Sequence, residues 1–414
     1  MGMPSPFAVE TLQADLARHA GFGVKVSASR GDAATAAWIE ERLAALGFSI
    51  ERHATPVPVF EPIDCRLQGE HAQAPVYAQA PYATTGPEGW SAPLVVVRTA
   101  ADAPGARGAI AMIVLPHGRH ASLASPPVAP LLQAVQAAGA RAAVIVPTGP
   151  TDDVVAFNAR LDAPAALPLA VLAPRLAAPF LAQATTGLAV RLLLHGRVQA
   201  GSTDTLCARL RRGPRWLCLS TPRTGWFTCA SERGTGTAAF LALAAWAVRR
   251  FPEHSLFAMN TGAHEYHFAG AHAVLASAPP PADVAAWAHL GAGLAARDRL
   301  EFRGQSHPLP SADSNRFTMA TPALHAAAEQ AFAGLAGLEL VRAPVGTASE
   351  LGAVVERGYG RAFAVLGLPR VFHTPQDDLP AVDAALLAPV VQAHARLIEA
   401  ALGMDAVTPQ AALA

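Results

Sequence analysis

RWLCLSTPRTGWFTCASERGTGTAAFLALAAWAVRR, residues 215–250, decides the fold. RWLCLS (215–220) is a short apolar run of buried-strand type, GTAAFLALAAWAVRR (236–250) is an apolar helix, and the polar, glycine-bearing stretch between them is a loop. The same unit returns downstream. SLFAMNT (255–261), VAAWAHL (284–290) and RAFAVLG (361–367) read as further strands, and an amphipathic helix closes the chain near 383–402. Strands alternating with helices predict an α/β fold, a mixed and mainly parallel sheet flanked by helices. Ligands of such sheets bind beyond the carboxyl ends of the strands.

Five polar segments fall at those ends or in the loops after them: LSTPRTGWF (219–227), ASERGTG (230–236), NTGAHEYHFAG (260–270), WAHLGAG (287–293) and VFHTPQDD (371–378). They hold a dense set of hydroxyl, carboxylate, imidazole and guanidinium groups, which are costly to bury without pairing or purpose.

Upstream, DAATAAWIEERLAAL (32–46) opens on Asp32 as an N-cap, repeats Ile39, Leu43 and Leu46 on one face and stops at Gly47, so it is expected to be a helix. FSIERHATPVPVF (48–60) alternates like an edge strand. Between 73 and 197 the texture changes to short apolar strands, GAIAMIVL (108–115), RAAVIVP (141–147) and LAVLAP (169–174), with Pro- and Gly-rich turns and a helix near 126–139. This is expected to be a β-rich insert. It divides a core made of residues 1–72 and 198–405, with 406–414 as a tail.

At 414 residues the chain can hold more than one core, and 52% apolar against 15% charged residues excludes a disordered polypeptide. Basic and acidic residues balance at 31 each without a basic run, which argues against nucleic acid or an anionic membrane as partner. Only Lys25 is a lysine, so arginine carries nearly all the positive charge. Cys65, Cys207, Cys218 and Cys229 lack zinc-knuckle or disulfide-framework spacing. The apolar stretch near 237–248 is too short to span a bilayer, and MGMPSPFAVETL lacks the pattern of a secretory leader, so the expectation is a cytoplasmic protein.

Taken in order, these segments resemble the zinc aminopeptidase and glutamate carboxypeptidase family of peptidase clan MH, aminopeptidase Y-like members in particular. Glutaminyl cyclases and the catalytically silent transferrin receptors are relatives. SRGDAATAAWIEERLAALGFSIERHATPVPVF looks like that family's opening segment, and 73–197 looks like its protease-associated insert. The resemblance implies a peptide or small-molecule substrate and a pair of zinc ions roughly 3.5–4 Å apart, polarising a carbonyl and activating water.

Carried over by position, Glu265 falls on a zinc-ligand carboxylate, His373 on the ligand histidine of the other zinc, and Glu232 on the bridging aspartate. Thr221 stands in place of a ligand His, Arg223 in place of that His's aspartate partner, Gly291 in place of another ligand Asp, and His264 in place of the general-base Glu. One zinc position keeps Glu265 and Glu232, and the other keeps His373 and the same Glu232. Both fall short of the roughly three protein ligands a zinc ion takes. An ordinary dizinc centre is therefore not expected.

Three readings stay open. A single zinc is held by Glu232, Glu265 and His373, helped by His264, His267 or His289. Alternatively, a metal-free hydrolase uses Ser220, Thr221 or Cys229 as nucleophile and His264 or His373 as base. Glu232 or Glu265 then orients the imidazole, and Arg223 or N–H groups at the start of the 236–250 helix hold an oxyanion. The third reading is a non-catalytic binding member of the fold. Arg233, His267, His289, Trp226 and Glu350 are the residues expected to face a substrate, and an active protein would cleave a peptide, amide or other acyl bond of a small molecule.

Overall fold

The structure is a computed structural model describing residues 5–162, 167–303, 305–344 and 349–406; the rest of the expected tail, 407–414, lies outside the described residues. At its centre the strand Trp216–Pro222 runs parallel to Ser255–Thr261 on one side and to Val284–Leu290 on the other. Ala362–Gly367 extends the parallel set beside Val284–Leu290, and Arg316–Ala320 closes that side antiparallel. The sheet is thus the mixed, mainly parallel one expected, with the four strand runs read downstream of residue 201 found within two residues of their sequence bounds.

On the other side lies Ala189–Leu210, antiparallel to Ser255–Thr261 and missed by the sequence reading. Its middle, HGRVQAGSTD, is polar because it forms a half-exposed ribbon with Ser49–Gln68 and carries no apolar run. The first residues of Ala189–Leu210 also pair with Trp90–Val97. That strand begins a second parallel set, continued by Ile110–Val114, Ala142–Val146 and Leu169–Val171. Residue 197 therefore falls in the middle of a strand that joins the two parallel sets into one sheet.

Side chains alternate across a strand, and the alternation assigns every central residue to a layer. Leu217, Leu219, Leu256, Ala258, Ala286 and Ala288 pack beneath the helices Val9–Gly21, Arg30–Ala45, Thr235–Arg250 and Ala384–Ala406. Trp216, Cys218, Phe257, Met259 and Trp287 face the opposite side, with Val274, Leu351 and Val354. Ser220 and His289, in register on neighbouring strands, belong to this second face.

The Ala384–Met404 stretch has the length and mean hydropathy, 1.3, of a membrane span. Leu387, Val390, Val391, Leu397 and Ile398 are nevertheless completely buried against the sheet, so here it serves as a core helix. The N-cap of Arg30–Ala45 is Ser29, whose Oγ accepts from Asp32 N, and not Asp32 as expected. The Asp32 carboxylate is used elsewhere.

Candidate functional site

The parallel strands end at Pro222, Thr261, Leu290 and Gly367, and the loops beyond them enclose a cavity of about 300 Å³. Its polar lining includes Arg233, His264, His289 and Glu350, and Phe268, Phe317, Leu366 and Phe372 form apolar walls. Ser122 and Asn158 of the 73–197 segment cover part of it. Of the non-glycine residues with positive φ, Cys229, Ala263, His267, Phe268 and His373 sit in these loops, with Ala28 and Arg303 elsewhere. Left-handed backbone at such residues costs energy and tends to gather at functional sites.

Of the residues expected at the site, Arg233, His264, His267, His289 and Glu350 meet at the cavity. His264 Nδ1 lies 2.8 Å from Glu350 Oε1, which also accepts from Thr261 Oγ1 at 2.8 Å. An oxygen accepting both leaves His264 Nε2 as a lone pair. Burial, and then the Arg233 charge, hold His264 well below the usual imidazole range, while burial pushes the Glu350 carboxyl up. His289 is pushed down by burial to about 4 and is neutral at physiological pH.

The other expected residues serve the framework. Ser220 Oγ accepts from Trp287 Nε1 at 2.8 Å and lies 2.9 Å from His289 Nδ1, while Thr221 Oγ1 donates to the Leu290 carbonyl at 2.7 Å. Both hydroxyls are fully buried and outside the cavity lining, which corrects their assignment as nucleophiles. Burial pushes the Cys229 thiol well above its ordinary range, and it donates to the Phe227 carbonyl. A thiol in that state is a poor nucleophile.

Arg223 is also corrected. Its Nε meets Asp32 Oδ1 at 2.7 Å and its Nη1 meets Asn260 Oδ1 at 2.9 Å, while Nη2 reaches the Asp204 carbonyl. Thr203 Oγ1 completes this buried network by donating to Asp32 Oδ2 at 2.5 Å. No part of the guanidinium is left for an oxyanion. The N–H groups of Ser231 and Glu232 are likewise taken by Asp377, at 2.6 and 3.0 Å. Trp226, expected to face a substrate, is buried outside the cavity lining, and its Nε1 donates to Asn158 Oδ1 at 3.1 Å.

Each expected metal ligand has a protein partner, while Oε2 of Glu232 and Oε2 of Glu265 are buried without one. Glu232 sits in a π-helical turn, Ala230–Gly234, with Arg233 Nη2 at 2.6 Å from its Oε1, an ion pair too poorly aligned for a hydrogen bond. Burial raises the Glu232 carboxyl, but Arg233 and His373 outweigh that and hold it down to about 2. His373 Nδ1 faces the Ala156 carbonyl at 2.8 Å and its Nε2 faces Glu232 Oε1 at 3.1 Å. A carbonyl and an ionised carboxylate only accept, so both ring nitrogens of His373 are donors and neither offers a lone pair. Glu265 Oε1 accepts from Ser27 N at 2.7 Å.

Among the described residues no group of three or more His, Cys, Asp or Glu is placed to hold a metal ion. The donor chemistry agrees with this. A β-carbon at Gly291 would stand 2.2 Å from Leu366 Cδ2 and 2.7 Å from the Val365 carbonyl, so that position has no room for a ligand side chain. The Arg233 guanidinium, held against Glu232, also opposes a dication. The residues present do not fit a pair of zinc ions.

Sequence reasoning missed Asp32, Ser27 and Asn158. Asp32 carried a helix-start signal that masked its tertiary role, and Asn158 lies in an irregular loop far from the five segments.

No protein-family model matches the sequence, and no curated protein does. Solved structures do match. A zinc aminopeptidase from Bacillus subtilis superimposes with a TM-score of 0.71 at 14% identity, over 100% of this chain and 98% of that one. An aminopeptidase from Aneurinibacillus sp. strain AM-1 gives 0.65 at 16% identity, over 95% and 94%. A peptidase M28 precursor from Shewanella amazonensis gives 0.70 at 15% identity, over 95% and 92%. The chain has the zinc-aminopeptidase-like fold.

Proposed function

We propose that this chain is a metal-independent member of the aminopeptidase fold, one that takes a small, largely apolar acyl compound in the cavity beneath Ser122 and Asn158. The observation that carries this is the buried chain Arg233–Glu232–His373, in which the Arg233 guanidinium and the His373 ring flank the carboxylate that the resemblance assigns to bridging the zinc ions. Positive charge is thereby kept at the head of the sheet without a metal. The 73–197 segment is read as a protease-associated-type cover, supported by backbone bonds from Ala156 N to the His373 carbonyl and from Ala159 N to the Glu265 carbonyl. The four free cysteines support a cytoplasmic location.

Purification from zinc-supplemented cells, followed by elemental analysis and thermal melts with and without chelator, tests this reading. It expects negligible zinc and an unchanged midpoint. Retention of one or two zinc ions per chain would sink it.

One observation favours a second reading, turnover. His264, oriented by Glu350 at 2.8 Å, keeps Nε2 open to the cavity and is placed to deprotonate a water beside an acyl carbon. Hydrolysis of acyl anilides that survives chelator and is abolished in His264→Ala would support it. Absence of turnover across such a panel leaves the binding reading alone.

A further inference from the structure

The Arg233 side chain is 2% exposed, yet most of its hydrogen-bonding capacity is unused. Its Nε donates to the Thr224 carbonyl at 2.7 Å, and Nη2 lies against Glu232 without a hydrogen bond. Nη1 has no hydrogen-bond partner among the described residues and, unlike Nη2, is not closed off, so it opens onto the cavity that Arg233 lines. A guanidinium only donates and stays charged.

Asn158 and His289 add donors to the same cavity. An indole N–H can only donate, so the bond from Trp226 Nε1 to Asn158 Oδ1 at 3.1 Å turns the Asn158 NH2 away from the tryptophan, and among the described residues no acceptor takes it. Trp287 Nε1 likewise donates to Ser220 Oγ at 2.8 Å. The serine hydrogen then has only His289 Nδ1, at 2.9 Å, as acceptor, which leaves the imidazole hydrogen on Nε2.

The other polar side chains of the lining do not offset these three. Ser122 Oγ and His267 Nε2 engage one another at 3.3 Å, and Ser349 Oγ accepts from Gly352 N. Glu350 Oε1 meets His264 Nδ1 and Thr261 Oγ1, while its Oε2 is closed off. Only His264 Nε2 is left to accept, so donors predominate in either protonation state of that ring.

Resting on the metal-independent reading above, we propose that the cavity binds a small apolar carboxylic acid as its carboxylate, held by Arg233 Nη1, Asn158 Nδ2 and His289 Nε2, with its apolar body among Phe268, Phe317 and Phe372. Glu232 shares the guanidinium, but its oxygen lies on Nη2 and leaves Nη1 free. A carboxylate brings two oxygens to these donors where an amide brings one, and bonds to an ionised acceptor are roughly twice as strong. An ammonium would meet donors and a guanidinium with no lone pair of its own.

Calorimetric titration of the full chain with phenylacetate, phenylacetamide and phenethylammonium, in chelator throughout, tests this. Phenylacetate is expected to bind most tightly, roughly tenfold better than the amide. Asn158→Asp keeps an acceptor for Trp226 and puts a like charge in place of the donor, so phenylacetate should weaken by more than about tenfold while phenethylammonium tightens. A general loosening of the fold would weaken all three probes together. The double variant Glu232→Gln/Arg233→Met leaves no lone ion buried and should abolish the acid-over-amide preference. If it fails to fold, Asn158→Asp decides alone.

Tighter binding of the amide or the ammonium overturns the proposal, as does no binding of phenylacetate, equal weakening of all three probes by Asn158→Asp, or an unchanged preference in the double variant. Zinc content is measured separately, and on it the metal-independent reading stands or falls.

Discussion

Arg233 Nη2 stands 2.6 Å from Glu232 Oε1, although the two residues are neighbours in the chain and both side chains are sealed from solvent. Successive side chains on a regular helix diverge by about 100° and do not face one another. The π-helical turn Ala230–Gly234, entered through left-handed Cys229, departs from that geometry and accommodates the pairing. Arg233→Met would leave Glu232 ionised with only His373 beside it. Loss of one partner from a buried pair costs about 3–5 kcal/mol, read as a lower urea midpoint. A change within error would mean that the pair is solvated.

Asp32 and Arg223 form the second buried ion pair at the head of the sheet. Asp32→Asn should also cost about 3–5 kcal/mol, whereas Arg250→Ala, which breaks the exposed pair with Glu399, should stay within about 0.5 kcal/mol. Equal losses at the two sites would contradict the burial assigned to Asp32.

Restoring an aspartate at position 291 should not restore a metal site. The new β-carbon would collide with Leu366 and the Val365 carbonyl, an overpacking of about 1–3 kcal/mol. Gly291→Asp should melt earlier and take up no zinc. A variant of undiminished stability that binds zinc would refute the packing argument.

Acid should destabilise the protein through its buried neutral histidines. Burial lowers His394 to about 4 from an ordinary value of 6.5, and His289 likewise. As pH falls from 6.5, the unfolded chain binds these protons first. The stability is therefore present above 6.5 and is lost as pH approaches 4, by about 3 kcal/mol for each group at full shift. His394→Leu, set between Phe332 and Phe363, should flatten the stability-versus-pH curve over that window. An unchanged slope would show that His394 titrates normally in the folded state.

The parallel core strands were legible because burial on both faces writes itself as unbroken apolar runs, as in SLFAMNT and VAAWAHL, whereas the helix Val9–Gly21 and the strand Arg316–Ala320 were not read. Ala189–Leu210 was not legible. Its partner along most of its length is a ribbon strand reached across more than a hundred intervening residues, and its exposed middle needs no apolar residues. The site was legible in part. His264, His267, His289, Arg233 and Glu350 do meet at one cavity, whereas Ser220, Thr221 and Arg223 are directed into the framework.

What the sequence determined by itself was the layered α/β architecture and the gathering of five polar loops at the strand ends, because both follow from periodicity and strand order, which are local properties. Tertiary structure alone decided what each polar group does. Whether Asp32 caps a helix or meets Arg223, and whether His373 offers a lone pair or two donors, depends on partners 191 and 217 positions away in the chain. A hydrogen bond is directional over about 3 Å, and no local pattern encodes which distant acceptor will stand at that distance.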